Sequence, residues 1–388
     1  MTGGNIIQHG PGAQAAEIAV LLLAGVAATA FFTLAPALIG ALIDRMHLPV
    51  SAVGWIASCQ LAGSALGNVC ALLLGRKLSV RHTLTASLAA AGLINLATLL
   101  AHDLAALLVF CFASGIAGGM AYSVVNAVAA RLPRPGVMFA GISIAQMLFG
   151  SIGFIALPAL VAAYGPGAIF ATLGSYSLAC AVGALLFTGP APIHDSGWRA
   201  SLSMSPRGAV LLVALFATFL TSTAIWTHLE RIGVAARLHA GVISLGLSMG
   251  MLAGILGAVG AAVVLLRRRH PDHILVGGAI LLAISTALLI KSSSPAAYLV
   301  ALCGFSGAQS LIVPLYLARL AAENGGDARV LVALLAMYLG LIGGPLLGTS
   351  LVVGLDYQLL ILVAAASLAV ASILTLGARR RTPQLVTP

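Results

Sequence analysis

The chain has 388 residues, of which 61% are hydrophobic and 7% charged, and its mean hydropathy is +1.10. That is more apolar surface than one soluble core can bury, so an integral membrane protein is expected. The formal net charge of +10 could suit nucleic acid, but the basic residues sit in short clusters between long apolar runs and follow membrane topology, so no nucleic-acid partner is expected.

A helix needs about 20 residues to cross the hydrocarbon, because its backbone groups must be satisfied within the span. The first apolar run, residues 17–43, is longer than a signal h-region, and residues 1–16 hold no Lys or Arg. It reads as a retained span and not a cleaved leader. It ends in "LIDRMH", Leu42 to His47, with Asp44 and Arg45 outside the apolar stretch. The second run, 52–74, carries Gln60 and Ser64 and leads into the basic loop "LLLGRKLSVRH", Leu72 to His82; a third follows at 83–101. In the fourth run, 104–130, Gly115, Gly119, Tyr122 and Asn126 recur at helical spacing, as do Ser143, Gln146, Gly150 and Gly153 in the fifth, 136–163. The sixth run, 167–188, precedes the longest and most polar connection, residues 189–207.

The seventh run, 208–230, closes with "WTHLERIG", Trp226 to Gly233, which sets His228, Glu230 and Arg231 within four positions after a long uncharged stretch. Counting a hydrocarbon crossing of about 20 residues from Ala209 ends it near His228, so Glu230 and Arg231 belong to the outer mouth. The eighth run, 240–266, contains "GLSMG", Gly246 to Gly250. This matches the nucleophile elbow of hydrolases, which needs a strand-to-helix turn; within an apolar span, glycine packing explains it better. The loop after it, "LLRRRHPDH", has metal-ligand residue types in His270 to His273 but no helical ligand spacing. The remaining runs are 274–291, 295–318 with Gln309 and Tyr316, 328–354 with Tyr338, and 357–377. The cysteines, Cys59, Cys70, Cys111, Cys180 and Cys303, lie singly within spans without CxxC spacing and read as small apolar residues. No catalytic, cofactor or metal site is expected.

Twelve spans place fifteen Lys and Arg on the side of the termini and four on the other, so both termini are expected in the cytoplasm. Shifting the chain by 190 superposes Gly67 on Gly257, Lys77 on Arg267, Gly150 on Gly340 and Gly153 on Gly343. The repeat implies two six-span halves, 1–188 and 208–388, joined by a cytoplasmic linker, 189–207, and related by an axis along the membrane normal. With this pattern the sequence resembles the major facilitator superfamily of secondary transporters over essentially its whole length. The family's loop motif, GxxxDRxGRR, survives as Gly75, Arg76, Lys77 and Arg81 without its aspartate, while the second-half loop places Asp272 after its basic cluster. Where many proton-coupled members carry an arginine in the fourth span, this chain has Cys111. The fifth-span glycine motif is nearer in the eleventh, "GLIGGPLLG", Gly340 to Gly348, than in "GSIGFIALP", Gly150 to Pro158.

The resemblance implies an all-α fold of twelve transmembrane helices, a central cavity, a small-molecule substrate moved by alternating access, and protons as a coupling ion. It assigns the cavity to the helices that carry the amides. Gln60, Tyr122, Asn126, Gln146, Gln309 and Tyr338 are therefore the candidate substrate contacts, with helix packing the alternative for each. With no Lys or Arg inside a span, a neutral, cationic or amphipathic solute is expected, drug-like ones included. The titratable candidates for coupling are Glu17, Asp44, His228 and Glu230, with His228 chosen for its intrinsic pKa and an interfacial anchor beside Trp226 as the alternative reading. Asp44 or Glu230 is expected to pair across the halves with Arg231 or Arg45 as an outer gate; the alternative is two independent solvated helix ends. A monomer in a bacterial inner membrane is expected, and an uncoupled metabolite facilitator or a non-transporting receptor or scaffold on the same fold are the competing readings.

Overall fold

A computed structural model of the chain describes residues 11–74, 79–132, 134–186, 205–267, 271–324 and 327–378. Among these the α-helices run α1 (Pro11–Thr33), α2 (Ala35–Met46), α3 (Ala52–Leu74), α4 (Val80–Ala97), α5 (Leu104–Ala129), α6 (Pro135–Tyr164) and α7 (Ala168–Ala184) in the first half. In the second half they run α8 (Pro206–Ala235), α9 (Ala240–Leu266), α10 (Pro271–Leu288), α11 (Pro295–Asn324), α12 (Asp327–Ser350) and α13 (Gln358–Gly377). Eleven of these are long and apolar enough to cross a membrane, and α7 is a shorter apolar helix. Several starts follow from capping side chains: Asp103 accepts from Ala106 N at 2.7 Å, and Ser205 accepts from Gly208 N at 3.0 Å, each satisfying an orphan donor of the first turn. Large apolar side chains such as Leu256, 74% exposed, project outward, as a surface solvated by lipid requires.

Three elements differ from their sequence reading. The first apolar run is two helices, not one, because Pro36 offers no N–H to the preceding turn and α2 starts afresh after Leu34. The seventh span, α8, continues past its run to Ala235, so Glu230 and Arg231 are helical while lying at the Asp44 end, the mouth where the sequence puts them. The sixth is shorter than its run, ending at Ala184. The expected linker falls mostly on 187–204, and Gly75, Arg76, Lys77 and the basic loop residues 268–270 also lie outside the described residues.

The repeat is visible in the backbone. His47 and Arg237, 190 positions apart, are the two non-glycine residues with positive φ among those described, at 51° and 57°, and each ends the first span of its half. The bond from Leu48 N to Ile43 O recurs 190 positions later from Leu238 N to Gly233 O, both at 3.1 Å. Helix pairing repeats too: α3 lies on α5 as α9 lies on α11, and α4 packs on α7 as α10 packs on α13. A Cβ at Gly67 would strike the Ile116 carbonyl, and one at Gly257 the Gly307 carbonyl, so the matched glycines mark the same close helix approach in each half.

The halves meet unequally. With six spans in each half, the start of α1 and the end of α13 lie at the same end of the bundle as the start of α8, the linker end, and Asp44 lies at the other. Across the halves α2 packs on α8, α3 on α12 and α6 on α9, whereas no comparable packing joins α5 to α11. Ser151 and Ser248 share a hydrogen bond of 2.8 Å, and Ser58 Oγ donates to Ile342 O at 2.6 Å. At the Asp44 end the apolar core is continuous through both halves, including Leu38, Ile39, Phe154, Ile225 and Leu229. At the linker end the first half keeps a separate core of its own around Leu21, Leu84, Val125 and Ala184. The two halves are therefore fused at the Asp44 end and divided at the linker end.

Candidate functional site

A proline inside a helix leaves the carbonyl four residues earlier without its amide partner, a costly state in an apolar bundle. Pro36 does this to Phe32, and the answer comes from the other half: Trp226 Nε1 of α8 donates to Phe32 O at 3.2 Å. Pro314 likewise deprives Ser310 within α11. Phe32, Trp226, Ser310 and Pro314 all line one cavity of about 420 Å³ between the halves.

Its wall is mostly apolar and soft. Phe32, Phe219, Trp226 and Phe305 supply rings, and Met147, Met251 and Met337 supply flexible thioethers. Ser143, Ser222, Thr223, Ser306, Gln309 and Ser310 supply the polar groups, and no ionisable side chain is among the lining residues. Ser222 Oγ donates to Gln309 Oε1 at 3.0 Å, which leaves the two amide N–H groups of Gln309 as the donors it can offer a solute. Thr223 is already committed, donating to Phe219 O at 2.7 Å.

Of the six residues nominated as substrate contacts, Gln309 alone lines this cavity among the described residues. Gln60 is buried on α3, and its backbone carbonyl lies against Gly115 of α5. Asn126 Nδ2 donates to Tyr122 O at 2.9 Å within its own helix, and Gln146 Nε2 donates to Gly25 O on α1 at 3.2 Å. Tyr338 accepts from Asn68 Nδ2, and Asn68 Oδ1 accepts from Ser123 Oγ at 3.0 Å, forming a neutral clasp across the halves. The apolar lining residues carried no sequence signal, because a Phe or Met facing a cavity has the same hydropathy as one facing lipid. Ser143, one turn from Gln146, and Trp226, beside the charged cluster, were the available hints.

The charges gather at the Asp44 end. Arg231 of α8 reaches across the halves to donate to both oxygens of Asp44, each at 2.9 Å, and its Nε lies 2.7 Å from the Glu230 carboxylate. Gly40 of α2 makes room for this, since a Cβ there would meet the Glu230 and Arg231 side chains. Arg45 takes no part in that cluster; its Nη2 donates to Leu99 O at 3.4 Å. His228 is fully buried and not an interfacial anchor: Nδ1 meets Ala224 O at 2.8 Å and Nε2 meets Thr349 Oγ1 of α12 at 3.2 Å, while its ring lies beside Tyr357. At the linker end Asp272 pairs with Arg319 at 3.2 Å, within the second half. A second hollow, a groove of about 280 Å³ lined by Asp44 and Glu230 among others, lies between the halves at the Asp44 end. Phe154 lines this groove and Trp226 the cavity, and their rings are in edge contact at a centroid distance of 6.2 Å.

The sequence model of the Major Facilitator Superfamily matches residues 20–329. No curated protein sequence matches the chain. Among solved structures, a mutant of the nucleoside transporter NupG superposes with a TM-score of 0.74 at 11% identity, covering 94% of this chain and 100% of that one. A bacterial homologue of the human lysosomal transporter Spinster, in an inward-facing and occupied conformation, superposes with a TM-score of 0.70 at 12% identity, covering 94% and 95%.

Proposed function

Because this chain belongs to the major facilitator superfamily and is by family and fold a multi-pass membrane transporter, we propose that it moves a small organic solute, neutral or cationic and amphipathic, by alternating access. The observation that carries this reading is the uneven junction of the halves. A core fused at one end and divided at the other, with a cavity between, is one of the two states that rocking halves would exchange. Lys and Arg placement makes the Asp44 end external, in a bacterial inner membrane with both termini cytoplasmic. One chain holds both halves and the whole cavity, so a monomer suffices.

The cavity wall supports the solute class. Neither sign of charge would meet a fixed counter-ion there, and an uncompensated charge out of water costs several kcal/mol; the faces of the Phe32, Phe219, Trp226 and Phe305 rings offset this for a cation and not for an anion. Rings and thioethers favour an aromatic or amphipathic body, and the Gln309 amide with the serine hydroxyls fixes its orientation. Gln146 and Tyr338 act by holding helices, Asn126 is taken up by the Tyr122 carbonyl of its own helix, and Gln60 is buried away from the cavity.

We assign proton coupling, if the flux proves coupled, to Glu230 and not to His228. Glu230 lies between the halves, shares Arg231 with Asp44 and lines the external groove, whereas His228 is sealed between α8 and α12. Purified protein in liposomes, offered a panel of neutral, cationic and anionic solutes with and without a pH gradient, tests all of this. Flux of neutral or cationic solutes, faster with the gradient, is expected. Flux confined to anions would overturn the cavity reading, gradient-independent flux would leave a facilitator, and silence across the panel would favour a receptor or scaffold.

A further inference from the structure

The groove at the Asp44 end shares no lining residue with the central cavity; Phe154 of the groove is in edge contact with Trp226 of the cavity. Its walls come from both halves and are apolar, with Ala41, Phe154 and Val161 facing Val234, Leu238 and Ile243. One edge alone is charged, by Asp44 and Glu230, and a single guanidinium, Arg231, lies against both carboxylates. Two carboxylates share that one guanidinium beside an apolar hollow, while the Arg45 guanidinium lies apart from them, against Gly167.

We propose that this groove binds a small organic cation with an apolar body, a quaternary or protonated amine on an aromatic or short alkyl frame. The body displaces water from the walls, the charge completes the unbalanced carboxylate pair, and the Phe154 ring offers a face to the cation. The occupant touches both halves, so it holds this end shut. On the alternating-access reading above, it slows transport without entering the central cavity. The site is thus an external point of inhibition, distinct from the transported solute's own.

Benzyltrimethylammonium titrated into the full-length protein in detergent, followed by calorimetry, tests the proposal without any transport measurement. Saturable binding is expected, with phenylmethanesulfonate, its anionic counterpart, failing to bind. Glu230→Gln should weaken the cation by about tenfold, the scale of one charge-assisted contact. Val234→Trp or Leu238→Trp, filling the groove, should abolish the Glu230-dependent binding, and Met337→Trp, filling the central cavity, should leave that component unchanged while removing any binding of the same cation to the cavity. Melting curves identify any variant that does not fold, and the two groove-filling variants serve as replacements for each other. The proposal is overturned if the wild type shows no saturable binding, if the anion binds equally well, or if Met337→Trp removes the Glu230-dependent binding that the groove variants keep.

Discussion

The two ends of the bundle join their halves by different chemistry. At the Asp44 end the junction is a fused apolar core, a shared guanidinium and an indole bonded to a proline-freed carbonyl. Toward the linker end Asn68 bonds Tyr338 across the halves, and the first half keeps its own core. Between them the cavity holds no ionisable lining residue. On the alternating-access reading proposed above, the Asp44, Glu230 and Arg231 charges lie on a surface that closes and reopens, and the cavity wall that would meet the solute has none among its described lining residues. A charge pair suits a reversible contact because each member, when the halves part, is rehydrated and does not stay buried alone.

The change that strikes this contrast hardest is Arg231→Met, which leaves Glu230 and Asp44 facing each other with no cation. Removing one member of a buried pair costs about 3–5 kcal/mol. We expect the lower part of that range, because the Asp44 side chain is 66% exposed and solvent screens its share. The Asp44 end should open, and a Val234→Cys reporter, in a background lacking the five native cysteines, should react much faster with a membrane-impermeant maleimide. Unchanged labelling would show that the apolar core alone holds this end shut.

Trp226→Phe is next, because it keeps the ring in the cavity wall and removes only the donor to Phe32 O. A buried acceptor left unsatisfied costs about 1–3 kcal/mol, so labelling at the same reporter should rise by roughly tenfold. The cause is specific enough to be checked in reverse. Pro36→Ala restores an amide N–H to the turn, and in that background Trp226→Phe should lose most of its effect; if it does not, the indole matters through packing and the proline has no part in it.

Gln309→Leu tests the other side of the comparison. Losing its amide donors should weaken solute binding by about 0.5–1.5 kcal/mol, a few-fold to about tenfold. Labelling at the Asp44 end should not move. A shift at both places would mean that cavity and latch are not separable.

How much of this the sequence displayed depends on whether hydropathy could see it. Span number and the 190-residue offset were visible because charges and glycines interrupt apolar runs at fixed places, and His47 and Arg237 repeat that offset in the backbone. The break before α2 was not, since Pro36 adds no charge to a run that stays apolar on both sides. Aligned amides were a poor guide to the cavity. In a medium without water Asn126 and Gln146 bond backbone carbonyls within reach, Tyr122 O and Gly25 O, which lie on helices and not on a solute. Arg231 and Asp44 were nominated by their place at matching span ends, but which of the possible pairs forms depends on Gly40 bringing α2 close to α8, a steric matter no charge count contains.

The smallest effect concerns the exposed member of the latch. Asp44→Asn should cost only about 0.2–1 kcal/mol, the range for a pair with one solvated partner, and should fade as salt is raised from about 0.05 to 1 M. The effect of Arg231→Met should persist in the same salt series, because Glu230, its other neighbour, is 17% exposed and poorly screened. Exchanging the charges, Asp44→Arg with Arg231→Asp, should recover part of the closure lost in either single variant, with Glu230 limiting the recovery by lying beside the new aspartate. If the double exchange recovers nothing, the contact at 2.9 Å is incidental to closure and the Trp226 bond carries it.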